Sequence, residues 1–222
     1  MSHHPWFLSI VLALMVALTG CASSGADDSK SADSAKQAKA EVKWPYAQDA
    51  ILIELSTDTD LNFYANRSHT LVFAVLQIED EKAFVKLLTK PQDLAKSMQT
   101  GNLPDGVLHM DRYVLSPDAK QLLTLDRVQD AKFVGILAGY YAFEPDRSAR
   151  LFRIPLNMDS SGLIFKDYKA EPAKLALKIA LGPQRIVNAV SLTYDADAPV
   201  QLEEVPLDNS NLEINLSPET LN

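Results

Sequence analysis

One thiol, Cys21, and four imidazoles are the groups in this 222-residue chain best suited to metal or nucleophilic chemistry. Two of the imidazoles, His3 and His4, precede the thiol, and only His69 and His109 follow it. A zinc site draws on several His or Cys ligands at recognisable short spacing, and nothing here has that spacing. A single cysteine also forbids an intrachain disulfide. His69 stands beside the start of an apolar run, where a turn or edge role is expected rather than ligation. The carboxylates give no acid–base pair. Glu79, Asp80 and Glu81 are contiguous, as at a solvated helix start, and Asp126 and Asp130 flank a turn. There is no phosphate-cradling glycine loop, dinucleotide fingerprint or Gly-x-Ser-x-Gly elbow. No catalytic residue, metal, cofactor or small-molecule substrate is therefore expected; a hydrolase would have to use His69 or His109. What remains is the chemistry of Cys21.

Residues 7–18 (FLSIVLALMVAL) are apolar except for Ser9. The run is shorter than the roughly 20 residues that span a bilayer. It lies at the N-terminus ahead of small residues, the pattern of a secretory signal. The segment before it carries no Lys or Arg, unlike the usual positive start. Leu18-Thr19-Gly20-Cys21 resembles the lipobox of bacterial lipoproteins. That resemblance implies cleavage before Cys21, a diacylglycerol on its sulfur and a third acyl chain on the new N-terminus. Each buried methylene adds about 0.8 kcal/mol, and two chains already anchor stably. Ala22 occupies the position where Asp would signal retention in the inner membrane, which implies transfer to the outer membrane, facing the periplasm. Asn66-Arg67-Ser68 matches a glycosylation sequon, a reading that a bacterial lipobox removes.

The net charge of −8 argues against nucleic acid and against electrostatic binding to anionic lipid. Attachment would then depend on the acyl chains. Residues 1–20 read as the signal peptide and 21–43 as a lipidated N-terminus with a flexible tether. Positions 22–43 hold no Leu, Ile, Phe or Tyr and cannot build a core. A coil of this length reaches on the order of 25 Å; a short Ala/Lys helix over 35–43 is the alternative, and both are spacers. From 44 to 194 apolar and aromatic residues are frequent, over the length of one domain. An extension at 195–222 is acidic, and from Val187 onward there is no Lys or Arg. Leu202, Val205, Leu207, Leu212, Ile214 and Leu216 could give that extension an edge strand.

The apolar pattern of the domain is of strand type. Runs 70–78 (TLVFAVLQI) and 132–141 (KFVGILAGYY) are apolar on both faces, so both should be buried strands. Gly135 and Gly139 suggest close packing or a bulge. Shorter strands are expected at 50–55, 112–115, 121–127, 151–154 and 187–194. Run 174–181 alternates, placing Leu175, Leu177, Ile179 and Leu181 on one face. A turn is expected at Ser116-Pro117-Asp118. Two helices interrupt the series. One covers 81–88, with Asp80 as its cap and Phe84, Leu87 and Leu88 on one face. The other covers 91–98, opening on Pro91 with Asp93 nearby. Seven or eight strands without alternating helices predict an all-β chain, an antiparallel β-sandwich with a small helical insert after its second strand.

Four blocks carry a family likeness. They are the strand–helix stretch Thr70-Leu-Val-Phe-Ala-Val-Leu-Gln-Ile-Glu-Asp-Glu-Lys-Ala-Phe84 with Leu87 and Leu88, the turn Leu115-Ser116-Pro117-Asp118, the strand Val134-Gly-Ile-Leu-Ala-Gly-Tyr140, and the pair Phe152-Arg153. In this order, over roughly 50–194, they resemble the outer-membrane lipoproteins of the type VI secretion system, the family called TssJ, VasD or SciN. Ala74 and Leu76 stand where the family usually has Arg and Tyr, the turn lacks its Gly, and the acidic extension is long. The resemblance implies a transthyretin-like sandwich that does no chemistry. It implies an anchor for the secretion membrane complex, binding the periplasmic C-terminal domain of the inner-membrane component TssM. It places the contact on the loop at 58–69, at Asp60, Leu61, Asn62, Phe63, Tyr64, Asn66, Arg67 and Ser68. Aromatics and Arg are the usual hot-spot types, although Phe63 could instead tuck under the sandwich. The competing reading is a generic periplasm-facing lipoprotein, such as a pilotin, chaperone or ligand carrier, which a gene neighbourhood without secretion-sheath genes would favour.

Overall fold

The structure is a computed structural model that describes residues 24–162 and 167–193. The signal segment, Cys21 and the acidic extension 195–222 lie outside the described residues. The chain divides into two compact units, one containing residues 158–170 and the N-terminal segment up to Glu41, the other containing 42–157 and 171 onward.

Eight strands of the larger unit form two four-stranded sheets. The first has the order β10-β9-β1-β4, built from β1 (Ala47–Thr57), β4 (Lys120–Arg127), β9 (Leu175–Leu181) and β10 (Ile186–Ser191). The second has the order β3-β2-β5-β6, built from β2 (Leu71–Ile78), β3 (Val107–Leu115), β5 (Phe133–Ala138) and β6 (Ala149–Arg153). The transthyretin-like β-sandwich expected from the sequence is thus present. One ladder of these sheets departs from the antiparallel rule: β1 and β9 run parallel, Ile51 opposite Leu175 and Leu55 opposite Ile179. No local pattern announces such a pairing, because the two strands are joined only through the whole intervening chain.

Side-chain alternation explains how the layers close. Ile51, Ile53 and Leu55 of β1 and Leu175, Leu177, Ile179 and Leu181 of β9 point inward and are essentially inaccessible. They meet Phe73 and Val75 of β2 and Val134 and Ile136 of β5 in one core. The opposite face of β2, with Ala74, Leu76 and Ile78, forms a second core with the helical insert. This is why β2 and β5 are apolar on both faces.

The insert consists of α2 (Glu81–Leu88) and α3 (Pro91–Thr100). Asp80 caps α2 by accepting from the Lys82 amide at 2.9 Å, and Phe84 and Leu88 are its buried residues. Pro91 occupies the first turn of α3, and Gly101 ends it in the left-handed conformation at φ 82°. The Arg112 guanidinium on β3 donates to the carbonyls of Met98 and Gln99, each at 2.9 Å, placing a cation at the negative end of the helix. A Cβ on Gly101 would come within 2.6 Å of that guanidinium and displace it, in addition to straining the left-handed backbone.

Two regions differ from the sequence reading. The segment read as a flexible tether is helical over α1 (Ser24–Ala40), 17 residues long. Alanines favour this, with acids early and lysines late in line with the helix dipole. The helix is polar all round and about 25 Å long at 1.5 Å per residue. The second region is a two-stranded sheet of β7 (Leu156–Ser161) and β8 (Asp167–Pro172), which the sequence reading left without structure. Its side chains alternate only between exposed and half-buried, with none fully buried, so the apolar signal is weak. Ser31 on α1 and Tyr168 on β8 bring their hydroxyls to 2.9 Å. A single short helical turn, α4 (Pro145–Ser148), precedes β6.

At the start of β1 a bulge is locked by β4. Asp49 has φ 50°, and its amide donates to one oxygen of the Asp126 carboxylate at 2.9 Å. The Tyr46 hydroxyl donates to the other. That hydroxyl, followed by the amide, holds the Asp126 carboxyl below the usual carboxylate range. The buried Arg127 guanidinium donates to the Pro45 carbonyl at 2.9 Å and lies over the Trp44 ring. The point where the chain enters the sandwich is therefore fixed, with Asp126 as a structural anion.

Candidate partner-binding face at the β1–β2 loop

The loop from 58 to 70 begins with a turn built on Asp58, whose Oδ1 accepts from the Asp60 amide at 2.9 Å and the Thr59 hydroxyl at 3.1 Å. Leu61 then drops into the sandwich core and is fully buried. Asn62, at φ 48° and also buried, ties the loop on both sides. Its Nδ2 donates to the Thr70 carbonyl at 3.0 Å, and its Oδ1 accepts from the Tyr141 amide at 2.8 Å. Leu61 and Asn62, both placed on the contact surface by the sequence reading, are therefore interior residues that shape the loop and have no surface to offer.

The remaining residues do present surface. Tyr64 and Arg67 exchange backbone hydrogen bonds at 3.1 and 3.2 Å across Ala65 and Asn66, whose φ values of 49° and 60° make the primed hairpin turn. Ser68 Oγ donates to the Thr59 carbonyl at 2.8 Å. Phe63 does not tuck under the sandwich: it is 36 % exposed, while its amide is held by the Pro183 carbonyl at 2.8 Å. Asp60, Asn66 and Arg67 are exposed.

Tyr64 is the middle of a three-ring stack. Its ring lies 3.7 Å from His69 at 15° and 4.2 Å from Tyr141 at 12°. Arg67 Nε donates to His69 Nε2 at 3.2 Å, so His69 is a packing partner and hydrogen-bond acceptor at the loop. Tyr141 is 74 % exposed, the most exposed large apolar residue among those described. Burial pushes the neighbouring Tyr140 hydroxyl well above its ordinary value. It stays protonated and donates to the Arg185 carbonyl at 2.7 Å. Three segments thus meet at this end: the β1–β2 loop, the chain after β5 and the β9–β10 turn. The sequence reading named only the first, because nothing in 139–143 or 182–185 marks them as neighbours of the loop.

Elsewhere the titratable groups make short structural contacts. His109 Nε2 lies 3.2 Å from Asp111, and a shallow depression is lined by Glu79, Asp80, Glu81, Lys132, Phe133 and Arg153, where Lys132 pairs with Glu79, Arg153 with Glu81, and Asp80 caps α2. Among the described residues no cluster of three or more His, Cys, Asp or Glu could hold a metal, and no helix is long and apolar enough to cross a membrane.

Residues 49–184 match a family described as type VI secretion lipoprotein, VasD, EvfM, TssJ. Comparison with curated proteins gave no match. Among solved structures, the type VI secretion lipoprotein TssJ1 from Pseudomonas aeruginosa is similar at 19% identity and a TM-score of 0.45, covering 68% of this chain and 99% of its own. Lip from Serratia marcescens, described as a membrane-bound component of the type VI secretion system, is similar at 16% and 0.47, covering 64% and 98%. A structure described as the TssM C-terminal domain from EAEC is similar at 13% and 0.44, covering 65% and 98%. The family match, and not these structural likenesses, carries the assignment.

Proposed function

The chain belongs to the type VI secretion lipoprotein family, and from that membership we propose that it anchors the secretion membrane complex to the outer membrane. In this reading Cys21 is acylated after cleavage of residues 1–20, and the sandwich faces the periplasm. The exposed side of the β1–β2 loop grips the periplasmic C-terminal domain of TssM. No chemistry is assigned to the domain. The observation that carries the gripping role is the form of the loop. Phe63, Tyr64 and Arg67 are hot-spot residue types, presented on a segment whose backbone is fixed by Asn62, a primed turn and a ring stack. Little conformational entropy is then lost on binding.

Two results are expected. Cys21→Ser should move the protein from the membrane to the soluble periplasmic fraction and stop secretion, read by fractionation and effector release. A membrane-bound variant would remove the anchor. Combined replacement of Phe63, Tyr64 and Arg67 by alanine should weaken capture of the TssM periplasmic domain by at least tenfold while circular dichroism stays that of a folded sandwich; undiminished capture would remove the loop.

A further inference from the structure

The loop is not the whole of the face it belongs to. We infer that the grip is a composite of three segments, in which Tyr141 is the apolar anchor and Arg67 and Arg185 supply the charge. The partner it fits is a protein surface presenting carboxylates around an apolar recess. This rests on the proposed function and extends it to residues outside the β1–β2 loop.

Three observations carry it. First, Tyr141 is built into the loop: its amide is bound by Asn62, its ring stacks on Tyr64 at 4.2 Å, and it is nevertheless 74 % exposed. One face of that ring is used by the stack and the rest of the side chain is open. An aromatic held in this way loses little freedom on binding and offers large contact area. Second, the face carries two arginines unlike the others described. Arg147 and Arg153 pair with glutamates, and Arg112, Arg127 and Arg150 donate to backbone carbonyls. Arg67 and Arg185 are exposed and have no ion pair with a described residue. Of the loop's two acids, Asp58 is engaged by the Thr59 hydroxyl and the Asp60 amide, and Asp60 is exposed. In a chain of net charge −8, two exposed arginines on segments that meet at Tyr141 select an acidic partner and orient it. Third, β1 separates this face from the point where the chain enters the sandwich. The strand spans 11 residues, roughly 30 Å end to end. A tether arriving at Ala47 leaves Tyr141 at the far end of the strand, which favours a protein partner over the anchoring bilayer.

The test uses the full-length lipoprotein in detergent and the TssM periplasmic domain, with Kd measured at several salt concentrations. Tyr141→Ala should weaken binding at least tenfold, and Tyr141→Phe by no more than about twofold, because the ring and not the hydroxyl is the anchor. Arg185→Glu should weaken binding by a similar factor and flatten its salt dependence. Thermal unfolding checks that each variant is folded. If Tyr141→Ala and Arg185→Glu bind as wild type while the Phe63, Tyr64 and Arg67 triple variant does not, the composite is wrong and the loop reading survives. If the triple variant also binds as wild type, the reading beneath both is wrong. If Tyr141→Ala leaves TssM binding intact and instead abolishes association with phosphatidylglycerol vesicles, the face is a lipid contact and the inference is overturned.

Discussion

Replacing Gln77 by Leu is expected to lower the stability of the sandwich by about 2–4 kcal/mol. For a domain of this size the thermal midpoint should fall by roughly 10 °C. Gln77 is the last inward-pointing position of β2 and is fully buried. Its Nε2 donates to the Asp126 carbonyl and its Oε1 accepts from the Val128 amide, both at 2.8 Å. Those two groups lie where β4 ends and the chain turns toward β5, so one amide joins the second sheet to the terminus of the first. Leu matches the shape but leaves a carbonyl and an N–H without partners, and each orphaned group costs more than a hydrogen bond gains. Gln77→Glu separates this from a volume effect. Its carboxylate could still accept from Val128 but would face the Asp126 carbonyl, and burial would raise its pKa above the unfolded value. Such a group stabilises most below its unfolded pKa and loses that contribution as pH rises through the folded one. The deficit of Gln77→Glu relative to wild type should therefore widen from pH 4 to pH 7, while that of Gln77→Leu stays flat. Chemical denaturation at the two pH values reads both, and a Gln77→Leu variant as stable as wild type would show that the amide is not the link between the sheets.

Gln77 also marks the boundary of what the sequence could say. The run it lies in, 70–78, declares a strand buried on both faces, and that is how β2 sits between its two cores. The helices after it were equally legible, down to Asp80 as the cap, because capping, helix period and proline placement are local effects. A buried glutamine inside an apolar run carries no sign of what it bonds, since its partners lie about fifty positions away. The parallel β1–β9 pairing is hidden for the same reason. The proposed binding face divides along this line too. Phe63, Tyr64 and Arg67 could be named because they cluster in one polar loop. Leu61 and Asn62 were placed with them by adjacency alone, although the fold turns both inward. Tyr141 joined the face only through tertiary packing on Tyr64.

Phe84→Ala should be the most destabilising single change in the helical insert, at about 3–5 kcal/mol, and its effect should depend on residue 135. Phe84 is the fully buried anchor of α2, and β5 makes room for it with a glycine. A Cβ at position 135 would lie 2.4 Å from Phe84 Cε2, 2.8 Å from Cδ2 and 3.2 Å from Ile78 Cδ1. Nothing in the backbone asks for glycine there, since Gly135 is not among the positive-φ residues. The requirement is the ring. Gly135→Ala alone should therefore cost about 1–3 kcal/mol through overpacking, against the small entropic gain alanine brings to a strand. In the Phe84→Ala background the ring is gone, and the added methyl projects into the vacated volume. There Gly135→Ala should be neutral or slightly stabilising, giving a coupling of about 1–3 kcal/mol in a double-mutant cycle. Urea unfolding of the four proteins measures it. Strictly additive costs would mean that the glycine serves the strand itself. A large coupling would mean that α2 is seated on the sheet by one ring filling one missing side chain, which ties the helical insert to the strand leading into Tyr141.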